Sequence, residues 1–197
     1  ISEASKLKVI GRAGIGVDNV DLSAASANGI VVMNTPFGNS ITTAEHTIAM
    51  MLSVARQIPA ANLSTHSGKW EKTKYLGTEV TGKILGLIGA GNIGSVVASR
   101  AIGLKMRIVA YDPFLSSERA MALGVTRVET LEEVLSCADF LSLHLPRTEK
   151  TKNLISYSEI SSMKRGAKLI NCARGGLVDE VAVANAILSG HLGGAAF

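Results

Sequence analysis

The second half of the chain alternates short apolar runs with segments whose apolar residues recur at helical spacing. The apolar runs predict six strands, at 84–88, 106–111, 125–128, 139–143, 168–172 and 192–197. Short connections join these strands to the helical segments between them. Strands separated by helices in this way indicate an α/β fold with a doubly wound parallel sheet of the Rossmann type.

The first part of the chain has a different pattern. Two short apolar runs, ending at Ile10 and Met33, predict short strands with turn residues between them. From Ser40 the apolar residues recur at helical spacing. They predict a long helix that is kinked or ended near Pro59, with Gly68 as a later stop.

Capping signals mark the starts of three predicted helices. Thr42 with Glu45 matches a capping box in the long helix. Thr130 with Glu133 matches a second capping box. Asp179 is expected to be the N-cap of the last helix.

Composition narrows the class of protein. The 197 residues are 47% hydrophobic and 18% charged, which is enough to fill a sizeable core. The net charge of +4 comes without a basic run and with only 4% aromatic residues, so we expect attraction for small anions and no nucleic-acid surface. Two cysteines without paired spacing predict a reducing, cytoplasmic setting. We expect no membrane span and no metal site.

A glycine motif carries the clearest chemistry. Gly89-Ala90-Gly91-Asn92-Ile93-Gly94 lies between the first strand of the main sheet and a helical segment. In a dinucleotide site Gly89 permits the tight turn, Gly91 lets the backbone approach a pyrophosphate, and Gly94 lets the helix pack closely. The motif alone is weak evidence, because glycine makes up 20 of 197 residues. The strand before it and the helix after it make it specific.

Asp112 ends the next predicted strand, eighteen residues beyond Gly94. A carboxylate at this position accepts hydrogen bonds from the adenosine ribose hydroxyls. It also repels a 2′-phosphate, and the residues after it supply no arginine to hold one. NAD is therefore favoured over NADP. A methyltransferase stays a minority alternative, since Ile93 breaks its usual glycine spacing.

Ligands of such sheets bind outside the carboxyl ends of the strands. His144-Leu145-Pro146 follows the fourth strand of the sheet and offers an apolar shelf for adenine. Asn171-Cys172-Ala173-Arg174 follows the fifth, where Arg174 could clamp a carboxylate bidentately. A structural role for Arg174, closing a helix end or pairing with Asp179, is equally open.

A dehydrogenase needs a proton donor or acceptor, which is usually histidine. His46 and His66 fall in the long helical region and are expected to be structural or solvated. His144 is placed for the adenosine half, and His191 precedes the last strand, at the wrong end of the sheet. The catalytic histidine is therefore expected to lie outside this chain.

Together these features resemble the D-isomer-specific 2-hydroxyacid dehydrogenases over the whole length. The most specific stretches are Gly11 to Asp21, Asn34-Thr35-Pro36 with Asn39-Ser40, Ala44 to Thr47, Gly68-Lys69-Trp70, and Asn171 to Gly176 with Val178-Asp179-Glu180.

The resemblance implies roles for named residues. Arg174 would be the catalytic arginine that binds the substrate carboxylate, and the loop of Arg12, Ala13 and Gly14 would face the substrate. The residues implied to line NAD are Gly89, Gly91, Asn92, Ile93, Gly94, Asp112, Leu145, Pro146, Cys172, Ala173 and Arg174. Many relatives carry threonine at Ile15 and at Leu145, so only backbone contacts carry over at those two positions.

The resemblance also implies a domain organisation. Residues 1–38 would be the last part of the first segment of a substrate-binding domain, and 39–197 a truncated NAD-binding domain. The family's catalytic Glu and His, and the Asp that holds the nicotinamide, would lie beyond Phe197, so we expect the fragment to be inactive. The family forms homodimers around this domain. Trp70 would reach the partner subunit or, equally, plug the local core.

Three functions remain open. The leading one is NAD-dependent oxidation of 3-phospho-D-glycerate to 3-phosphohydroxypyruvate, the first step of L-serine biosynthesis. The second is a sister enzyme acting on glyoxylate, hydroxypyruvate or another 2-oxo acid. The third is a non-catalytic NAD-binding module.

Overall fold

Six parallel strands form the main sheet in a computed structural model that describes all of residues 1–197. The chain divides into two units, 1–42 and 43–197. The larger unit contains the main sheet, with strands β3 (Ile84–Ile88), β4 (Arg107–Tyr111), β5 (Thr126–Val128), β6 (Phe140–Leu143), β7 (Lys168–Ile170) and β8 (Gly194–Ala196).

The smaller unit is built on a two-stranded parallel ladder. Strands β1 (Val9–Arg12) and β2 (Val31–Asn34) pair along their whole length. Helix α1 (Leu22–Ala27) connects them. The assignment of this region to a substrate-binding domain stays a prediction.

Seven helices complete the chain. They are α2 (Ser40–Arg56), α3 (Ile58–His66), α4 (Asn92–Gly103), α5 (Ser117–Leu123), α6 (Leu131–Cys137), α7 (Tyr157–Ser162) and α8 (Glu180–Leu188). None of the helices is long and apolar enough to cross a membrane.

The strand order of the main sheet is β5-β4-β3-β6-β7-β8. The chain runs outward from β3 through β4 to β5, then returns to β6 beside β3 and runs outward in the other direction. The carboxyl ends of β3 and β6 therefore flank the point where the topology reverses. In such folds this is where a ligand binds.

Alternating side chains of the sheet pack into two layers of core. Leu85 and Leu87 of β3 are fully buried on one side, in a cluster that includes residues of α2, α4 and α5. Ile88 belongs to a second cluster with residues of α6, α7 and α8. Gly86 is needed for this packing, because a Cβ there would lie 2.8 Å from both Ala138 and Val134. The predicted α/β fold with a doubly wound parallel sheet is confirmed.

The predicted strands of the main sheet all exist, with ends within a few residues. The capping roles of two side chains are also confirmed. Asp179 accepts hydrogen bonds from the N–H groups of Val181 and Ala182, at 3.0 Å each. Thr130 accepts from the N–H of Glu133, but the Glu133 carboxylate accepts from Glu129 and not from the cap residue.

Helix α1 was not predicted, and one capping box is wrong. Helix α1 has only six residues, mostly Ser and Ala, so no apolar periodicity marks it; Asp21 caps it through a 2.8 Å bond from Ala24 N–H. Helix α2 begins at Ser40, which places Thr42 inside the first turn and not at a cap. The predicted long helix ends at Arg56 because Gln57 is left-handed, with φ 53°, and α3 then begins with Pro59 in its first turn.

Candidate functional site

The glycine turn after β3 is shaped by close backbone contacts. Gly89 has φ +96°, and a Cβ on it would lie 2.5 Å from the carbonyl oxygen of His144. A Cβ on Gly94 would collide with the carbonyl oxygen of Gly89. Gly91, in contrast, faces open space, with no atom within 4 Å of its Cβ position. Two glycines therefore close the turn, and the third leaves it accessible from outside.

Helix α4 starts at this accessible glycine. Gly91 is its N-cap and makes no side-chain capping bond. The positive end of a twelve-residue helix is thus exposed at the carboxyl edge of the sheet, beside Asn92 and Ile93. Such a helix end is suited to binding a phosphate group.

Asp112 braces the glycine turn from the neighbouring strand. Its Oδ2 accepts a 2.8 Å hydrogen bond from the N–H of Ala90, and its Oδ1 accepts a 2.9 Å bond from the N–H of Phe114. An ionised carboxylate has about four acceptor sites, so it keeps the capacity to bind hydroxyl groups. The side chain is partly exposed and held in one orientation.

His144 follows β6 and lies against the same turn. Its Nε2 lies 3.0 Å from Ser142 Oγ. Burial lowers the pKa of His144 to about 4, because the surroundings disfavour the charged ring. The imidazole is therefore neutral near pH 7, and the expectation that it is not the catalytic base stays a prediction.

The next two residues of this loop differ in exposure. Leu145 packs on the core cluster of Ile88 and lies 3.1 Å from the Cβ position of Gly89, so it forms an apolar wall beside the turn. Pro146 is exposed, and its carbonyl oxygen accepts a 2.8 Å bond from Thr151 Oγ1.

The loop after β7 is organised by Asn171, which is only 7% exposed. Its Nδ2 donates to the carbonyl oxygen of Arg174 at 2.9 Å, and its Oδ1 accepts from the N–H of Ala173 at 3.2 Å. Arg174 Nη1 also donates to the carbonyl oxygen of Ala173, at 2.8 Å. Asn171 was not among the predicted site residues. An asparagine directly after a buried strand and before a glycine-flanked arginine was the signal for it.

Cys172 is the partly buried member of this loop. Burial raises the pKa of its thiol, and a hydrogen bond with Thr47 of α2 opposes that shift. The thiol is therefore protonated near neutral pH and serves as a small polar contact between the loop and α2.

Of the remaining three histidines, two contact backbone carbonyl oxygens and one is exposed. His66 Nδ1 lies 3.0 Å from the carbonyl oxygen of Asn62, and His191 Nε2 lies 2.8 Å from that of Ile160. His46 is exposed on α2. His191 precedes β8, at the opposite edge of the sheet from the glycine turn, as predicted.

The loop of Arg12, Ala13 and Gly14 lies in the smaller unit. Arg12 Nη1 donates to the carbonyl oxygen of Ala13 at 2.6 Å, and its Nε donates to Asn19 Oδ1 at 3.3 Å. The carbonyl oxygen of Gly14 accepts from Thr35 N–H at 3.1 Å, which ties the loop to the end of β2. The substrate-facing role of this loop stays a prediction.

The structure brings most of the predicted cofactor residues to one edge. The glycine turn, Asp112, the loop at 144–146 and the loop at 171–174 follow β3, β4, β6 and β7, which are neighbours in the sheet. Asp179, the alternative partner considered for Arg174, caps α8 and accepts a 3.3 Å bond from Ser156 Oγ. The structure and the sequence therefore define a dinucleotide-binding domain.

Comparison with known proteins agrees with this class. Residues 48–197 match the family model described as "D-isomer specific 2-hydroxyacid dehydrogenase, NAD binding domain". The chain belongs to this family, and its cofactor is NAD. The residues fit that cofactor, because the space beside Gly91 and the uncapped start of α4 leave room for a pyrophosphate next to Asp112.

Individual relatives extend the comparison. The chain is 51% identical over 196 residues to D-3-phosphoglycerate dehydrogenase of Synechocystis, covering all of this chain and 35% of that protein. It is 48% identical to the enzyme of the same name from Bacillus subtilis, with 99% and 37% coverage. A solved Granulicella formate dehydrogenase superposes with a TM-score of 0.94 at 31% identity, over 98% of this chain and 52% of that one. The chain thus spans about a third of the length of the curated relatives.

Proposed function

We propose that the protein to which this chain belongs oxidises 3-phospho-D-glycerate to 3-phosphohydroxypyruvate with NAD. The observation that carries the proposal is the arginine loop, fixed by Asn171, at the same sheet edge as the glycine turn. The half-identical relatives named D-3-phosphoglycerate dehydrogenase favour this substrate. The solved formate dehydrogenase shares the fold at only 31% identity, so fold alone does not select a substrate.

The glycine turn and Asp112 are proposed to bind different parts of the cofactor. The N-terminus of α4 holds the pyrophosphate, and the Asp112 carboxylate accepts hydrogen bonds from the adenosine ribose. Leu145 covers the apolar side of the turn. Because Asp112 is fixed by Ala90 and Phe114, it meets a 2′-phosphate with an immobile negative charge, and we expect NADP to bind more weakly than NAD.

Gly91→Ala tests the pyrophosphate role without disturbing the turn. The added Cβ meets no protein atom within 4 Å, so we expect the fold to be retained. The methyl group would occupy the approach of the pyrophosphate, and we expect a loss of at least tenfold in NAD affinity by calorimetry. Unchanged affinity would place the phosphates elsewhere.

The substrate side depends on Arg174. Its guanidinium would hold the substrate carboxylate bidentately and so orient the carbon that carries the hydroxyl, and NAD held at this edge would supply the hydride acceptor. Asn171 acts as a positioning residue, because it holds the Arg174 backbone through the carbonyl oxygen. The loop of Arg12, Ala13 and Gly14 is proposed to face the same substrate.

None of the four histidines in residues 1–197 suits the role of proton acceptor. His144 is neutral with a pKa of about 4, and His66 and His191 bond to helix carbonyl groups. We therefore expect the 197-residue chain to show no measurable turnover with NAD and 3-phosphoglycerate, followed by absorbance of the reduced cofactor. Turnover near that of the complete enzyme would instead identify a histidine of this chain, His144 first, as the base.

Arg174→Lys in the complete protein tests the substrate role. An ammonium group cannot reproduce the bidentate fork, so we expect kcat/KM to fall by at least about a hundredfold while NAD affinity is kept. Arg119→Lys, on the exposed face of α5, is the matched control and should leave kcat/KM unchanged. Unchanged turnover in Arg174→Lys would make Arg174 structural.

A scan of 2-hydroxy acids with the complete protein separates 3-phosphoglycerate from the substrates of sister enzymes. Activity on none of them would favour a non-catalytic NAD-binding module.

We also propose that the protein is a cytoplasmic homodimer that acts in serine biosynthesis. Apolar side chains of α3 and the segment after it are exposed, with Leu63 at 72% and Trp70 at 83%. A local core position for Trp70 is therefore wrong. Replacing Trp70 with Glu should shift the protein toward monomer in light scattering, whereas Met121→Glu, on the exposed face of α5, should not.

A further inference from the structure

A cleft of about 180 Å³ opens at the amino edge of the main sheet. Lys83 directly precedes β3, Asp139 directly precedes β6, and Lys168 begins β7, so neighbouring strands bring these charges together. Lys164 and Arg165 complete the lining from the turn before β7. The cleft lies at the opposite edge from the glycine turn and shares no residue with the proposed NAD site.

The charges of this cleft do not balance. Its lining contains the four cationic side chains and one carboxylate, which leaves three positive charges in excess. Asp139 is already engaged, because its Oδ2 accepts from Ile84 N–H at 2.8 Å and its Oδ1 pairs with Lys164 Nζ at 3.1 Å. These contacts outweigh burial and hold the pKa of Asp139 below its ordinary value. Lys83, Arg165 and Lys168 form no ion pair with any carboxylate of the chain.

Lys83 and Lys168 are partly buried, and Lys168 has the contacts that fix its ammonium group. It is half-buried, its Nζ lies 3.4 Å from Thr78 Oγ1, and the same atom lies 5.2 Å from the centre of the Phe140 ring. Burial lowers its pKa, and the nearby Lys83 lowers it further. Two ammonium groups thus face one space whose only carboxylate, Asp139, is already paired with Lys164, an arrangement that a bound anion would relieve.

We propose that this amino-edge cleft binds a phosphate dianion or the phosphoryl group of a phosphate monoester. A doubly charged anion matches the excess of positive charge better than chloride does. Lysine ammonium groups and the Thr78 hydroxyl donate to phosphate oxygens from different directions, and the Arg165 guanidinium can add a bidentate contact. The proposal does not depend on the proposed function.

The test is a titration of the ¹⁵N-labelled 197-residue chain with inorganic phosphate at constant ionic strength, followed by heteronuclear NMR. We expect saturable shifts of the amides of Gly166, Ala167 and Lys168, which line the cleft. Phosphate that binds at the glycine turn or at Arg174 would shift those amides instead. Non-saturating shifts spread over the surface, or no shift at 166–168, would overturn the proposal.

Charge-matched variants localise the binding. Lys83→Gln and Lys168→Gln should each weaken phosphate affinity at least tenfold, whereas Lys6→Gln, an exposed lysine of the smaller unit, should not. Lys83→Gln alone decides the result if Lys168→Gln does not fold. Equal weakening by Lys6→Gln would show general attraction to a basic protein and would overturn the site.

Methyl phosphate distinguishes the two sources of the phosphoryl group. Binding as tight as that of inorganic phosphate would show that the cleft accepts a group attached to carbon. Binding of inorganic phosphate alone would assign the cleft to the free ion. Both results support the proposal, and binding of neither at the amides of 166–168 contradicts it.

Discussion

The two edges of the main sheet are built by the same strands but in different ways. At the carboxyl edge, Gly89 and Gly94 fit against backbone atoms, and the polar side chains of Asp112 and Asn171 are held by short hydrogen bonds. At the amino edge, lysines outnumber the single carboxylate, Asp139. Substitutions at the carboxyl edge should therefore act through shape and hydrogen bonding, and those at the amino edge through charge and salt.

Two glycines at opposite ends of α4 test the part played by shape. In Gly94→Ala the new Cβ collides with the backbone oxygen of Gly89, which is fixed by the turn. We expect the free energy of unfolding in urea to fall by about 3 kcal/mol or more. In Gly103→Ala the Cβ meets nothing within 4 Å, and stability should stay equal or rise by up to about 1 kcal/mol. Equal effects at both ends would remove the distinction between the edges.

The pH dependence of stability tests the half-buried His144 ring at the carboxyl edge. The folded pKa of His144 is about 4 and its ordinary value is 6.5, so the unfolded chain takes up its proton first as the pH falls. The folded state therefore has its full stability with respect to His144 above pH 6.5, and it loses stability as the pH falls toward 4. We expect a loss on the order of 2 kcal/mol between pH 7 and pH 5, measured by urea unfolding.

His144→Gln should flatten this part of the pH profile. A wild-type profile that is flat from pH 7 to pH 5 would contradict a desolvated His144.

Asn171→Ala tests the hydrogen bonds that fix the arginine loop. The variant leaves the Ala173 N–H and the Arg174 carbonyl oxygen without their side-chain partner, and we expect a loss of about 1 to 2 kcal/mol in urea unfolding. Asn185 is the control, because its amide donates to Tyr157 Oη at 2.8 Å on the exposed surface. Asn185→Ala should cost less than about 0.5 kcal/mol. If Asn171→Ala lowers the free energy of unfolding no more than Asn185→Ala does, the arginine loop does not depend on the Asn171 side chain for its conformation.

At the amino edge, removing one charge should have a small effect of the opposite sign. Without phosphate, Lys83→Gln should raise stability by up to about 0.5 kcal/mol at low ionic strength, because the repulsion with Lys168 that it removes is opposed only by an attraction to Asp139, which is already paired with Lys164. The gain should disappear in 1 M NaCl. Lys6→Gln should show neither the gain nor the salt dependence, and a loss of stability in Lys83→Gln would mean that the cluster is not repulsive.

The two edges also differ in how far the sequence predicts them. The glycine motif and Asp112 were predictable because each follows an apolar run at a fixed distance in the chain. The hydrogen bond from Ala90 N–H to the Asp112 carboxylate was not predictable, because it depends on the pairing of β3 with β4. At the amino edge, Lys83, Asp139 and Lys168 come together only through the strand order, which no local pattern contains.

The helix cap at Asp179, helix α1 and the exposure of Trp70 also differ in how far the sequence predicts them. Asp179 was predictable as a cap because its partners are two and three residues away. Helix α1 has no apolar stripe, and the exposure of Trp70 depends on what the rest of the chain leaves uncovered. Local chemistry was therefore readable from the sequence, whereas positions set by tertiary packing were not.

The central claim is that the carboxyl edge binds NAD through the glycine turn with Asp112 on the ribose. Titration calorimetry of the 197-residue chain with NAD and with NADP tests it most directly. We expect NAD to bind at least about tenfold more tightly, and Asp112→Ala to weaken NAD and to narrow the difference between the two cofactors. Equal affinities of the unmodified chain for NAD and NADP, or an Asp112→Ala variant that keeps the full preference, would contradict the claim.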